Sequence, residues 1–215
     1  SEAYRRASTY PQRMVSKGSV ERLDASVVDP ENRLWGRAEV RRLEAEPLRD
    51  ALLAVSGRLD ARLGGKTVPL KNREFVFNHT SKDATRYDTT RRALYIPIIR
   101  NNLYEMLEQF DHPDPTTPTG SRNATVIAPQ SLILMNAPMV RTCAETLAEC
   151  VTGAGGAVFE QVDDLYRRVY GRSPEVEERS RAVRFVEQQD AIESGNGMVM
   201  LAHSLMAANE FCYLR

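Results

Sequence analysis

The densest cluster of side chains able to do chemistry runs from Asp111 through His112 to Asp114. A carboxylate beside an imidazole is what general acid–base catalysis needs, and Arg122 nearby could help two carboxylates hold unequal pKa values. To act as a glycosidase-like pair, Asp111 and Asp114 would have to converge on an open cleft at about 5 to 9.5 Å. The same residues have a structural use. In a stretch stiffened by Pro113, Pro115 and Pro118 and closed by Gly120, aspartates commonly bond their own backbone amides as Asx turns, and this role is the one favoured.

Other chemistry has less to stand on. His79, His112 and His203 are scattered, and none lies three or four residues from another histidine or a cysteine, so no local metal-ligand pair exists. His203, among Leu201, Leu205 and Met206, reads as a half-buried packing residue. Met198, Met200 and Met206, with Leu201 and Leu205, make a soft apolar stripe that could bind a partner helix but is more often core. Cys143 and Cys150 are seven residues apart in a helical pattern, about 10.5 Å along the axis, beyond the roughly 7 Å reach of a disulfide. With Cys212 as the third cysteine there is no C-x-x-C pair, hence neither a zinc cage nor a covalent haem attachment. Phosphate-loop, dinucleotide, nucleophile-elbow and zincin strings do not occur. No catalytic, cofactor-binding or metal-binding residue is assigned, and no cofactor is expected. Trp35, Arg37, Asp111, Asp114, Arg122 and Asn123 are the candidate partner contacts or structural anchors. Trp35, the single tryptophan, lies where a large ring could pin the N-terminal arm to the first long helix.

The elements that must position these residues are mostly helical. Residues 1–43 mix Ser, Pro, Gly and charge without a lasting period and read as an extended arm with one short helix. From Glu44, Pro47 suits a first helical turn and Leu48, Leu52, Val55 and Leu59 recur at helical steps until Gly57 and Gly64-Gly65 close the segment. Glu74–Phe77 and Ala93–Ile96 are short β-rich runs, the second stopped by Pro97, and read as a small sheet or a pair of extended segments. Asn102–Phe110 can form a short helix. Residues 111–123 then form a loop that is either ordered or a boundary inside a 44–215 helical domain. Four helical patterns follow: Pro129 to Cys150, necessarily split or kinked at Pro138; Val158 to Tyr170, ended by Gly171; Pro174 to Gln189 with Ser173 as cap; and Met198 to Phe211. The expected fold is mainly α, a helical bundle with a small β element and an extended N-terminal arm.

Composition narrows the function classes. The 215 residues are 42% apolar and 27% charged, with 29 basic and 29 acidic side chains. That is the profile of an ordinary soluble globular protein, and the balanced charge gives no field to draw nucleic acid. No apolar run approaches the roughly 20 residues of a membrane span, and the polar start Ser1-Glu2-Ala3-Tyr4 has no signal-peptide core. The expectation is then either a cytosolic protein or a mature or partial product, and the start at Ser1 without Met fits the second.

Several strings in order carry a family resemblance: Asp29-Pro-Glu-Asn-Arg-Leu-Trp35, Arg41-Arg-Leu-Glu-Ala-Glu46, Leu48-Arg-Asp-Ala-Leu-Leu-Ala-Val-Ser-Gly-Arg-Leu-Asp60, Phe110-Asp-His-Pro-Asp-Pro115, Gly120-Ser-Arg-Asn-Ala-Thr125, Pro129-Gln130, Leu134-Met-Asn-Ala-Pro138, Leu165-Tyr166, Gly171-Arg172 and Asn209-Glu210-Phe211. Together they resemble the domain of unknown function at the C-terminal end of large exported bacterial proteins, typical of planctomycetes, that also carry planctomycete-type cytochrome c domains. His112 departs from the pattern, where an aromatic or apolar residue is usual. The resemblance implies a periplasmic or extracellular setting near c-type haem proteins and no activity. It leads to the expectation of a non-catalytic interaction module, an accessory subunit docking on a periplasmic c-type cytochrome or a respiratory or photosynthetic electron-transfer complex. The rival expectation is a subunit or domain of an enzyme that degrades extracellular polymers.

Overall fold

The computed structural model describes residues 29–34, 38, 40–67, 87–99, 103–193 and 195–214. It is mainly helical, and its contacts divide the chain into two units, Leu43–Cys212 and a smaller one made of Ser1–Arg42 with Tyr213–Arg215. In the smaller unit β1 (Arg41–Arg42) pairs antiparallel with β2 (Tyr213–Leu214), Arg41 opposite Leu214 and Arg42 opposite Tyr213. This two-stranded pair is the small β element, and it joins segments from opposite ends of the sequence. Upstream, the Asp29 carboxylate accepts the amides of Arg33 and Leu34 at 2.9 and 2.8 Å, closing a turn.

The larger unit opens with α1 (Ala45–Val55), whose buried positions are Ala45, Leu48, Arg49, Leu52 and Leu53. That is the three-and-four spacing of one helix face. The helix stops at Ser56, whose hydroxyl bonds back to the carbonyls of Leu52 and Leu53, and Gly57 follows at a φ of 73° that suits glycine. Leu59 therefore lies beyond the helix, although its spacing continued the pattern. Glu74–Phe77 falls outside the described residues. Ala93–Tyr95 is a 3-10 turn rather than a strand. The Ala93 amide is taken by the Asp50 carboxylate at 2.7 Å, and Arg49 takes the carbonyls of Thr89 and Arg91. The Tyr95 and Ile96 amides close the turn onto the carbonyls of Arg92 and Ala93, so with the Ala93 amide on Asp50 none of these three donors is left for a ladder.

A short α2 (Glu105–Gln109) leads into the loop, and α3 (Ala128–Asn136) and α4 (Pro138–Gly153) follow with only Ala137 between them. Pro138 splits the pattern. It cannot donate within α3, yet it sits at the first position of α4, where no donor is needed. α5 (Val158–Tyr170) begins where Glu160 reaches back to the Ala157 amide at 2.9 Å and ends at Gly171, φ 71°. α6 (Val176–Ile192) starts later than Ser173 suggested, because Glu178 caps the Glu175 amide at 2.8 Å. The last pattern is also divided: α7 (Gly197–Ala207) breaks at Ala208, which adopts extended ψ 153°, before the short α8 (Asn209–Cys212).

The core lies chiefly between α4 and α7. Val140, Cys143, Ala144 and Leu147 of the first meet Met198, Leu201, Ala202 and Met206 of the second, all buried. Fully buried Ala144 and Ala202 allow close approach, while each large apolar side chain removed from water contributes about 1.5 to 3 kcal/mol. The unit's two ends meet where the Leu43 amide donates to the Cys212 carbonyl at 2.7 Å.

Candidate functional site

The loop that held the candidate acids is tied to its surroundings by those acids. Asp111, at φ 60°, accepts the Thr125 amide at 2.9 Å and the Thr125 hydroxyl at 2.7 Å. Asp114 does the same for Thr116, at 2.8 and 2.6 Å. Both are turn-capping carboxylates, as their proline-rich context favoured. Arg122 reaches back 76 residues to grip Glu46 with both terminal nitrogens, 2.7 and 2.9 Å, and lies 2.9 Å from Glu44. The clamp thus closes on the first turn of α1, where a carboxylate is also favoured by the helix N-terminus. Burial pushes the Glu46 carboxyl up, but hydrogen bonds and charge from Arg122, with its own amide and His112, outweigh this and hold it below the ordinary 4.5. His112 Nδ1 donates to the Pro113 carbonyl at 2.8 Å, and its Nε2 stands 3.6 Å from Glu46. Gln130, 6% exposed, donates from Nε2 to the carbonyls of Gln109 and Thr125 at 3.0 and 3.1 Å. Asn123 is exposed. Trp35 and Arg37 lie outside the described residues.

A second polar centre joins other quoted strings. Arg172 binds Glu178 with two nitrogens at 2.6 and 2.8 Å and Glu210 with two at 2.7 and 2.8 Å. Its guanidinium carbon lies 5.7 and 5.6 Å from the ring centres of Tyr166 and Tyr170. Such a planar fork satisfies two carboxylates at once, which a lysine could not do. The Tyr170 hydroxyl donates to the Leu205 carbonyl at 3.1 Å, and burial pushes this phenol well up. His203 bonds the Leu134 carbonyl through Nε2 at 2.9 Å, a packing role. Cys143 and Cys212 are buried and Cys150 exposed, none of them in a disulfide among the described residues, and burial pushes the Cys143 thiol up.

The third centre surrounds a cleft of about 430 Å³. Arg49 is 0% exposed, and a buried guanidinium needs partners for every donor it can satisfy. It donates to the Arg91 carbonyl at 2.9 Å and to the Thr89 carbonyl, and lies 3.4 Å from Asp50. Its Nε has no partner among the described residues. Arg49 thereby brackets residues 89–91 onto α1, and Thr89 and Thr90 among them line the cleft. Leu53, Met106 and Ile133 supply apolar lining, and Tyr87 and Tyr104 stand with ring centres 5.5 Å apart. The Tyr104 hydroxyl donates to Met139 Sδ at 3.5 Å, and burial pushes its pKa up.

The family profile described as PSD1, protein of unknown function (DUF1553), matches residues 1–186. The chain belongs to this family. Comparison with curated proteins and with solved structures yields no match. The PSD1 match stops short of Asn209-Glu210-Phe211, so Glu210, which holds Arg172, lies beyond it.

In this PSD1 chain the ordered strings converge as folding contacts: Glu44 and Glu46 with Arg122, Asp111 with Thr125, Thr125 with Gln130, Arg172 with Glu210. Asp111, Asp114 and Arg122 do not meet as an acid–base centre, since each is held by its own partner. Sequence reasoning missed Arg49 and the cleft. One signal for Arg49 was present, because Ala45, Leu48, Arg49, Leu52 and Leu53 are the complete buried stripe of a helix. No such periodicity links Tyr87 to Tyr104. Among the described residues no group of three or more histidine, cysteine or acidic side chains is placed to hold a metal ion, and no helix is long and apolar enough to cross a membrane.

Proposed function

We propose that this PSD1-family chain is a non-catalytic interaction module of an exported protein, which seats a protein partner on the outward face of α3. The observation that carries this reading is the exposure of that face. Leu132 and Met135 are 56% and 59% exposed, and Val126 just before the helix is 78% exposed. Leu132 and Met135 are three apart and so neighbours on the helix surface. α3 buries only Gln130 and Leu134 within its own unit, although an apolar helix of this kind normally belongs inside. Contiguous apolar surface of this sort marks interaction sites.

The polar groups support the same reading from the other side. Asp111, Asp114 and Arg122, the centre of the polymer-degrading alternative, are engaged in capping and clamping. The family resemblance supplies the class of partner, a periplasmic c-type cytochrome or another electron-transfer complex, respiratory or photosynthetic, and with it a periplasmic or extracellular setting.

Affinity capture from periplasmic and membrane extracts tests this, comparing the chain with Leu132→Asp/Met135→Asp. The expected result is a captured protein with a haem Soret band, lost with the double variant while its melting temperature is kept. Recovery of free monomer by both chains overturns the proposal.

A further inference from the structure

The Arg172 centre shows how this fold accommodates a guanidinium. It uses two tyrosines with ring centres 5.5 Å apart, Tyr166 and Tyr170, and two carboxylates, Glu178 and Glu210. The cleft beside α3 presents the same kinds of group. Tyr87 and Tyr104 also have ring centres 5.5 Å apart, inclined at 45° where the Arg172 pair is inclined at 84°. Each is followed in sequence by an acid, Asp88 and Glu105, and both acids line the cleft. Neither carboxylate takes part in an ion pair or hydrogen bond among the described residues, whereas the acids of the other two centres are bonded.

Charge favours the same occupant. The charged side chains at the lining are Asp88, Glu105 and Arg58, two negative and one positive, so the lining carries a net −1. Arg58 donates to Thr146 Oγ1 at 3.2 Å. The buried cation nearby, Arg49, lies 5.8 Å from the Tyr104 ring centre but has Asp50 at 3.4 Å and two backbone carbonyls to answer its charge. The apolar lining from Leu53, Met106 and Ile133 suits the alkyl stem of a long side chain, while its charged head remains with the rings and acids.

We propose that this cleft is an anchor site for an arginine side chain of the partner protein, held by Asp88 and Glu105 against Tyr87 and Tyr104. It rests on the interaction function above and adds to it the group that is recognised. Ile133 and Ala137 belong to the lining, so the cleft borders the exposed face of α3 and one partner can occupy both. Arginine matches better than lysine because its planar head stacks on a ring while forking onto a carboxylate. The isolated side chain should bind weakly, with a dissociation constant on the order of millimolar.

N-acetyl-arginine methylamide is the probe, with the isosteric but neutral N-acetyl-citrulline methylamide as its control. Both are titrated into the whole chain and followed by backbone-amide NMR. Saturable shifts are expected at Thr89, Thr90 and Met139 with the arginine probe, and binding of the citrulline probe should be at least about tenfold weaker. Asp88→Asn/Glu105→Gln should weaken arginine binding by about tenfold, while Glu187→Gln, on the exposed side of α6, should leave it unchanged. Equal responses to the two probes, binding that survives the double variant, or no saturable shift at the cleft overturns the anchor site. If a partner is captured through Leu132 and Met135 but the probe does not bind, only the anchor fails. If the probe binds and no partner is captured, the interaction reading fails and the cleft stands as a free arginine site.

Discussion

Arg172 and Glu210, 38 residues apart, are joined by two parallel hydrogen bonds of 2.7 and 2.8 Å. The same guanidinium forks onto Glu178 at the start of α6, so one side chain fastens the α5–α6 turn, the first turn of α6 and α8. Single exposed ion pairs contribute little, but a shared fork in a partly buried network positions several elements at once. This explains why residues from distant strings coincide in space.

Acid should unfasten this network in a definite window. Hydrogen bonds from Arg172 hold the Glu178 carboxyl down to about 2 against an ordinary 4.5, with burial opposing them in part. Because the folded value lies below the unfolded one, the ionised carboxylate stabilises the fold above pH 4.5, and its contribution is lost as pH falls from there toward 2. Melting temperatures followed by circular dichroism should decline across this window. Glu178→Gln should melt lower at pH 7 and decline less steeply on acidification. Parallel curves for the two chains would place the acid sensitivity elsewhere.

Arg49 should be the costliest polar residue to remove. Arg49→Ala leaves the carbonyls of Thr89 and Arg91 without their donor and Asp50 without its buried counter-charge, a loss of about 3 to 5 kcal/mol. Asp50→Asn should be milder, since an amide oxygen can still accept the Ala93 amide. Urea denaturation gives the ranking. Hydrogen exchange at Ala93, Tyr95 and Ile96 should show that the loss begins in the segment just after the cleft wall, and an Arg49→Ala chain as stable as its parent would contradict this bracket.

Arg122 should act on the loop more than on the fold. Its bonds to Glu46 are partly exposed, so Arg122→Ala should cost only about 0.5 to 1 kcal/mol. It should nevertheless speed proteolysis between Pro113 and Arg122, because the clamp across 76 residues is gone while the Asp111–Thr125 cap remains. Rapid cleavage of the unaltered chain at the same place, leaving two stable halves, would show a linker instead of a held loop.

Much of the helical framework was legible because its signals are local. Pro138 divides α3 from α4 through its missing donor, Gly171 ends α5 in a conformation few other residues adopt, and Leu48, Leu52, Val162 and Leu165 lie on apolar stripes that solvent alone would select. Proline and aspartate in residues 111–120 were likewise enough to favour turn caps over catalysis. Tertiary structure decided the rest. Ala93–Ile96 has strand-forming side chains, yet Asp50, 43 residues away in sequence, takes its first amide, while Arg49 holds the carbonyls of Thr89 and Arg91 just before it. Ser173 has the chemistry of a cap, but Glu178 does the capping while engaged with Arg172. The cleft depends on Tyr87 and Tyr104 meeting across different segments and on two carboxylates left unpaired among the described residues, and no local period or propensity encodes either, because both arise only when separate elements pack.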